Sequence, residues 1–202
     1  MKKLFPFLAL LVIFSFVPAD KGISKKERKY AVNMLKESAK AVEQVIAGLN
    51  ESQLSFQPSE KQWSVEGCIK HIAMSEQMLG GALEKAMQEP ADSSKRSKIQ
   101  ATDEQIVQFL SDRSTKRETM DPLKPENIPF KTTAEALESF KRNRAKLMAF
   151  AKSTKEDLRS HVVELPFGSF DAYQMIILIA AHSERHTKQA EEVKASQGYP
   201  AQ

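Results

Sequence analysis

His182 and His186 lie four residues apart in the segment Ile179 to Gln189, a spacing that puts both imidazoles on one face of a helix. Two such rings are half of a metal site. With about 100° per residue and Tyr173 at zero, the apolar Ala172, Met175, Leu178, Ile179, Ala190 and Val193 fall between roughly 140° and 260°. The two histidines fall among them, at roughly 180° and 220° on the same count. Glu184, Lys188, Glu191 and Glu192 occupy the opposite side, so the pair faces the core. Buried imidazoles need partners for their ring nitrogens, at about 1–3 kcal/mol per unsatisfied group. A shared metal ion is one such partner, and hydrogen bonds within the core are the other.

The chain has four histidines, and His71 is the third candidate. Ser64 reads as the N-cap of a helix running to about Glu89, with Glu66 favourably placed in its first turn. Cys68, Ile69, Ile72, Met78, Leu79 and Leu83 form its apolar half, and His71 sits on the flank, within reach of a neighbouring helix. Glu76 lies on the same half, where it can act as an acceptor or base behind the ligands, or pair with a core lysine or arginine. Gln189 is placed to orient His186. Cys68 is near the centre of the apolar half, where a free cysteine behaves as a small hydrophobe. His161, before Pro166 and Gly168, reads as a surface or loop residue.

Leu54 to Pro58, Trp63-Ser64-Val65 leading into His71, and Leu165 to Gly168 leading into His182, Arg185, His186 and Gln189 together resemble the DinB-like family of small helical proteins. The resemblance covers most of the chain after about residue 27. It implies a four-helix bundle in which one histidine of the second helix and two of the last hold a divalent metal, usually zinc or nickel, with positions open to water. Carried onto this chain, the ligands are His71, His182 and His186. Characterised relatives include transferases and isomerases that use a low-molecular-weight thiol, so the resemblance implies fold and metal more sharply than reaction.

Three neutral imidazoles with an open position suit a catalytic zinc site better than a closed structural one, and three imidazoles also suit nickel. A metalloprotease is the rival for two histidines four apart. Here Ser183 follows His182, and Glu184 lies about 160° from the pair on an ideal helix, so the general base of that motif is misplaced. The expected function is a metal-dependent enzyme of thiol-dependent transferase or hydrolase type, acting on a small-molecule substrate, with a thiol among the candidates. The alternative is a non-catalytic metal-binding or structural helical bundle. A homodimer is among the expected assemblies.

Lys2 and Lys3 precede the apolar run Leu4 to Val17 and then Pro18-Ala19-Asp20. This is the pattern of a secretory signal peptide, residues 1–19, cleaved after Ala19. The run is too short for a firm membrane span, and the expected location is periplasmic or extracellular. Without Lys2 and Lys3 the 30 basic residues fall to 28 against 26 acidic ones. Charges of both signs along each helix, and no basic cluster beyond Lys95 to Lys98, argue against nucleic acid as a partner. One cysteine excludes an internal disulfide, leaving stability to the core.

Residues 20–202 are expected to form one all-α domain, a four-helix bundle with an additional helix in a long connection. Ser24 to Leu49 carries apolar residues at helical spacing, ended by Gly48 and Asn50. Thr102 to Gln105 resembles a capping box opening a helix through about Glu118, and Thr132 to Glu135 opens another through about Lys152. Pro122, Pro125 and Pro129 forbid continuous helix between them. No segment alternates convincingly as a strand. The connections Leu123 to Phe130 and Pro90 to Gln100 are candidates to cap the mouth of the site.

Overall fold

A computed structural model describes residues 22–201. The expected signal segment 1–19 lies outside the described residues, and among the described residues no helix is long and apolar enough to cross a membrane. Four long helices form the bundle: α1 (Lys25–Ile46), α3 (Val65–Gln88), α5 (Thr133–Ser153) and α6 (Ala172–Lys194). Two short ones sit in connections, α2 (Glu51–Ser55) and α4 (Asp103–Ser111). Each begins on a side-chain cap that satisfies an otherwise orphaned N–H: Ser24, Asn50, Ser64, Thr102, Thr132 and Asp171, typically about 1 kcal/mol apiece.

Contacts between helix ends fix their directions. Tyr173 donates to the Glu27 carbonyl at the starts of α6 and α1, and Lys194 donates to the Val45 carbonyl at their ends, so these helices run parallel. Arg28 donates to the Ala151 carbonyl, joining the start of α1 to the end of α5. His71, early in α3, meets His186, late in α6. The order is therefore up, down, down, up, with α3 and α5 parallel and adjacent. A parallel pair needs a connection that returns the full helix length, about 35 Å at 1.5 Å per residue, and residues 89–132 supply it.

That crossover explains α4, which packs along α6. With α1 and α3 also against it, the first half of α6 is enclosed. Every residue from Ala172 to Ala181 is buried, so helical periodicity disappears there and returns only at the half-buried His182.

Several sequence expectations need correction. The helix opened by Thr102 ends at Ser111, short of Glu118, because Asp112 turns the chain by accepting from the backbone N–H and hydroxyl of Ser114. The fold is not wholly helical: β1 (Val162–Leu165) pairs antiparallel with β2 (Gly168–Asp171) in a hairpin, whose Gly168 adopts a φ of 147° that disfavours other residues. His161, expected at the surface, is 7% exposed. It lies in a loop, but its Nδ1 bonds the Ala86 carbonyl near the end of α3 at 3.0 Å, and that partner makes its burial tolerable.

Far from the histidine pair, Arg159 gathers the starts of three helices. It bonds Glu27 of α1, Asp103 of α4 and Asp171, the N-cap of α6, at 2.6–3.3 Å, and lies over the Tyr173 ring. The connection 90–100 packs at this end, with Asp92 N–H on the Ser160 carbonyl and Arg96 on the Arg159 carbonyl. It therefore does not cap the histidine end, contrary to one expectation.

Candidate metal centre

Three helix positions bring His71, His182 and His186 together, and one nitrogen of each ring lies within 4.8 Å of the others. Ser64 caps α3 so that His71 comes two turns in, facing α6. The i, i+4 spacing on α6 does the rest. The Nε2 atoms of His71 and His182 are 3.2 Å apart. Two nitrogens bound tetrahedrally to one zinc at about 2.0–2.1 Å would stand about 3.3 Å apart, so this separation fits a shared ion.

The outward nitrogens of two rings are already engaged. Nδ1 of His71 donates to the Leu123 carbonyl at 2.8 Å, and Nδ1 of His186 donates to Oε1 of Gln189 at 2.8 Å. Each bond fixes the tautomer that leaves Nε2 with its lone pair facing inward. Gln189 thus stands where the sequence placed it. Leu123 sits in a single 3-10 turn (Asp121–Leu123) of the crossover, followed by another (Pro125–Asn127), so the connection 123–130 does reach the site. The Pro125 ring lies against Gly67 of α3, where an added Cβ would come within 3.2 Å of it.

Electrostatics keep the rings neutral. Burial pushes His71 down to about 4, with its bond to Leu123 pulling the other way. His182 and His186 are driven well below the ordinary histidine value, first by burial and then by the neighbouring rings and Arg185. Neutral imidazole is the form that ligates a metal. Trp63 covers the group, its ring centroid 4.9 Å from that of His71 and 5.6 Å from that of His186, nearly parallel to the latter. Arg185, between the two histidines on α6, grips the carbonyls of Leu110, Asp112 and Thr115 and ties the end of α4 to the site.

Glu76 received the arginine partner that its inward position had left as one alternative. Both its oxygens are taken by Arg144 of α5, Oε1 by Nε at 2.6 Å and Oε2 by Nη2 at 2.7 Å. Cys68 is fully buried, and burial pushes its thiol up to about 12, which suits packing rather than ligation or nucleophilic chemistry. Sequence reasoning named Leu123 only as the start of a candidate capping connection and Trp63 only within the family motif, and it did not name Arg144. A large apolar residue directly before an N-cap is a visible cue for Trp63. Leu123 acts through its backbone, and a carbonyl leaves no trace in residue type.

Fold and site together describe a helical bundle with three histidines placed where they could hold a metal ion. The chain matches the DinB superfamily over residues 34–190 and belongs to it. It is 25% identical over 150 residues to the uncharacterised protein YuaE of Bacillus subtilis (strain 168), a stretch covering 74% of this chain and 88% of YuaE. Among solved structures it is similar to YfiT from Bacillus subtilis, described as a probable metal-dependent hydrolase with an unusual four-helix bundle topology. The TM-score is 0.59 at 16% identity, over 86% of this chain and 89% of YfiT. At that identity the likeness is one of fold.

Proposed function

We propose that this protein is an exported metal-dependent enzyme in which His71, His182 and His186 hold a divalent cation, zinc ahead of nickel, and leave a position open to a small molecule. One observation carries the reading: three neutral imidazoles converge, with 3.2 Å between two inward nitrogens. A divalent ion held there supplies Lewis acidity, enough to lower the pKa of a water in the open position to about 7 or to favour the thiolate of a bound thiol.

The chain's residues do the positioning. The Leu123 carbonyl and Gln189 orient two rings, and Trp63 shields the flank of the group. Glu76 is committed to Arg144, and among the described residues no carboxylate joins the histidine cluster. That favours a nucleophile made acidic by the ion over one activated by a protein base. The expected signal peptide would place the protein in the periplasm or outside the cell, where low-molecular-weight thiols are scarce, and hydrolysis is then favoured over thiol transfer. The description of YfiT as a probable metal-dependent hydrolase points the same way.

Elemental analysis of the purified protein beside His182→Ala tests the reading. About one equivalent of divalent metal is expected in the wild type, with most of it lost in the variant. Wild-type protein without stoichiometric metal, or a variant that retains it, sinks the proposal. The missing carboxylate also suits a non-catalytic metal-binding bundle. That reading predicts bound metal with no chelator-sensitive turnover across ester, amide and thiol-conjugate panels.

A further inference from the structure

Arg144 is 2% exposed in the middle of the bundle, and all five of its guanidinium hydrogens are used. Nε and Nη2 hold the Glu76 carboxylate of α3. Nη1 donates to the Leu35 carbonyl at 2.8 Å and to the Ser38 hydroxyl at 2.7 Å, both on α1. Nη2 also donates to the Ser183 hydroxyl of α6 at 2.9 Å. The two serines in turn donate to carbonyls of their own helices, Met34 and Ile179. One side chain on α5 thus bonds the other three long helices, and no donor is left over.

Such a pair is weak evidence for stability, because well-packed apolar residues often replace a buried ion pair without loss. What it sets is register. Apolar burial is non-directional, whereas hydrogen bonds weaken steeply once distance and angle leave a narrow range. The contacts fall beside the histidines on both helices that carry them. Glu76 follows Ser75, whose hydroxyl is 3.4 Å from Nε2 of His71, and Ser183 directly follows His182. A metal site tolerates errors of only about 0.2 Å in its ligand distances.

Resting on the metal reading above, we infer that the Arg144–Glu76–Ser183 network is a positioning device that sets the offset between α3 and α6, and with it the affinity and coordination of the ion. Its role is to place the nitrogens, and the stability of the bundle depends on it only secondarily.

The test uses the full chain, stripped of metal by chelation and titrated with zinc and with cobalt. The double variant Glu76→Leu with Arg144→Met removes both charges together. Its metal-free form is expected to unfold within a few degrees of the wild type, yet to bind zinc about tenfold or more weakly and to show an altered cobalt visible spectrum. Arg144→Lys, which keeps the charge but loses the fork, is expected to share the weakened binding. A folded double variant with wild-type affinity and an unchanged cobalt spectrum overturns the inference, and so does full binding by Arg144→Lys. If the double variant does not fold, Ser183→Ala decides, since it cuts only the link to the helix of His182: weaker zinc binding supports the inference and unchanged binding overturns it. Wild-type protein that binds neither ion brings down the metal reading itself, a result distinct from tight binding that the network does not affect.

Discussion

Three imidazoles kept neutral by burial make the site dependent on pH in a definite direction. An unfolded histidine titrates near 6.5, whereas His71 in the fold is pushed down to about 4. Between these values the unfolded chain holds more protons than the folded one at this ring, so through His71 the metal-free protein loses stability as pH falls from about 6.5 to 4. At 1.36 kcal/mol per pKa unit, His71 alone accounts for about 3 kcal/mol. Denaturant titrations of the chelated protein at pH 7, 5.5 and 4.5 should show a midpoint that drops steadily, and His71→Gln should lessen the drop, leaving the part due to His182 and His186. A wild-type midpoint that does not move across that range would mean that the rings are hydrated. At this scale the sequence was informative about type and spacing: His182 and His186 could be placed on an inward face by angle alone, and Gln189 beside them. It placed Leu123 in a connection that could cap the site but was silent on its carbonyl, which holds His71. It also misled on His161, because a loop between Asp157 and Pro166 carries no sign that the end of α3 will cover it.

Helix boundaries followed their caps. Ser64 and Thr132 opened α3 and α5 at the expected residues, and both helices ended within a residue of expectation. Thr102 and Gln105 form the full reciprocal box, whereas Glu135 reaches one residue further back, to the Lys131 N–H. Ends set by tertiary contacts were harder to read, and α4 stops where Asp112 turns the chain and Arg185 takes its last carbonyls. The hairpin was missed because four-residue strands are too short for alternation to stand out, although Val162, Val163 and Gly168 carry strand and turn preferences. Tandem Gly80 and Gly81 in the middle of α3 yield a sharper prediction. Neither has positive φ, and a Cβ on either would meet nothing within 4 Å. Nothing among the described residues requires glycine there, so Gly80→Ala and Gly81→Ala should each stabilise the protein by about 1 kcal/mol. Thermal unfolding will show it, and a fall in Tm would mean that the surface beside them is packed against something else.

Across the whole molecule, the bundle and the three histidines that converge in it were recognisable from flanking motifs, and the up, down, down, up order was not. Helix direction depends on which connection is long enough to return. Residues 89–132 allow the return without demanding it, because α4 and the proline turns sit inside them. Arg144 shows the same limit from the opposite side. Ala136, Phe140, Leu147 and Ala151 place it in an apolar stripe, so its burial could have been read, but its partners on three other helices could not. The crossover also bears on the order of events in folding. His71 and His182 are separated by 111 positions in the chain, with the long return segment lying between them. Contacts between such distant segments form late, because the intervening loop must close first. An ion bridging them is therefore expected to be nearly absent from the folding transition state, and its stabilisation should appear as slower unfolding with little change in refolding rate. Stopped-flow measurements with and without zinc would separate the two limbs. A bound ion would then act chiefly as a kinetic latch, lengthening the lifetime of the folded chain.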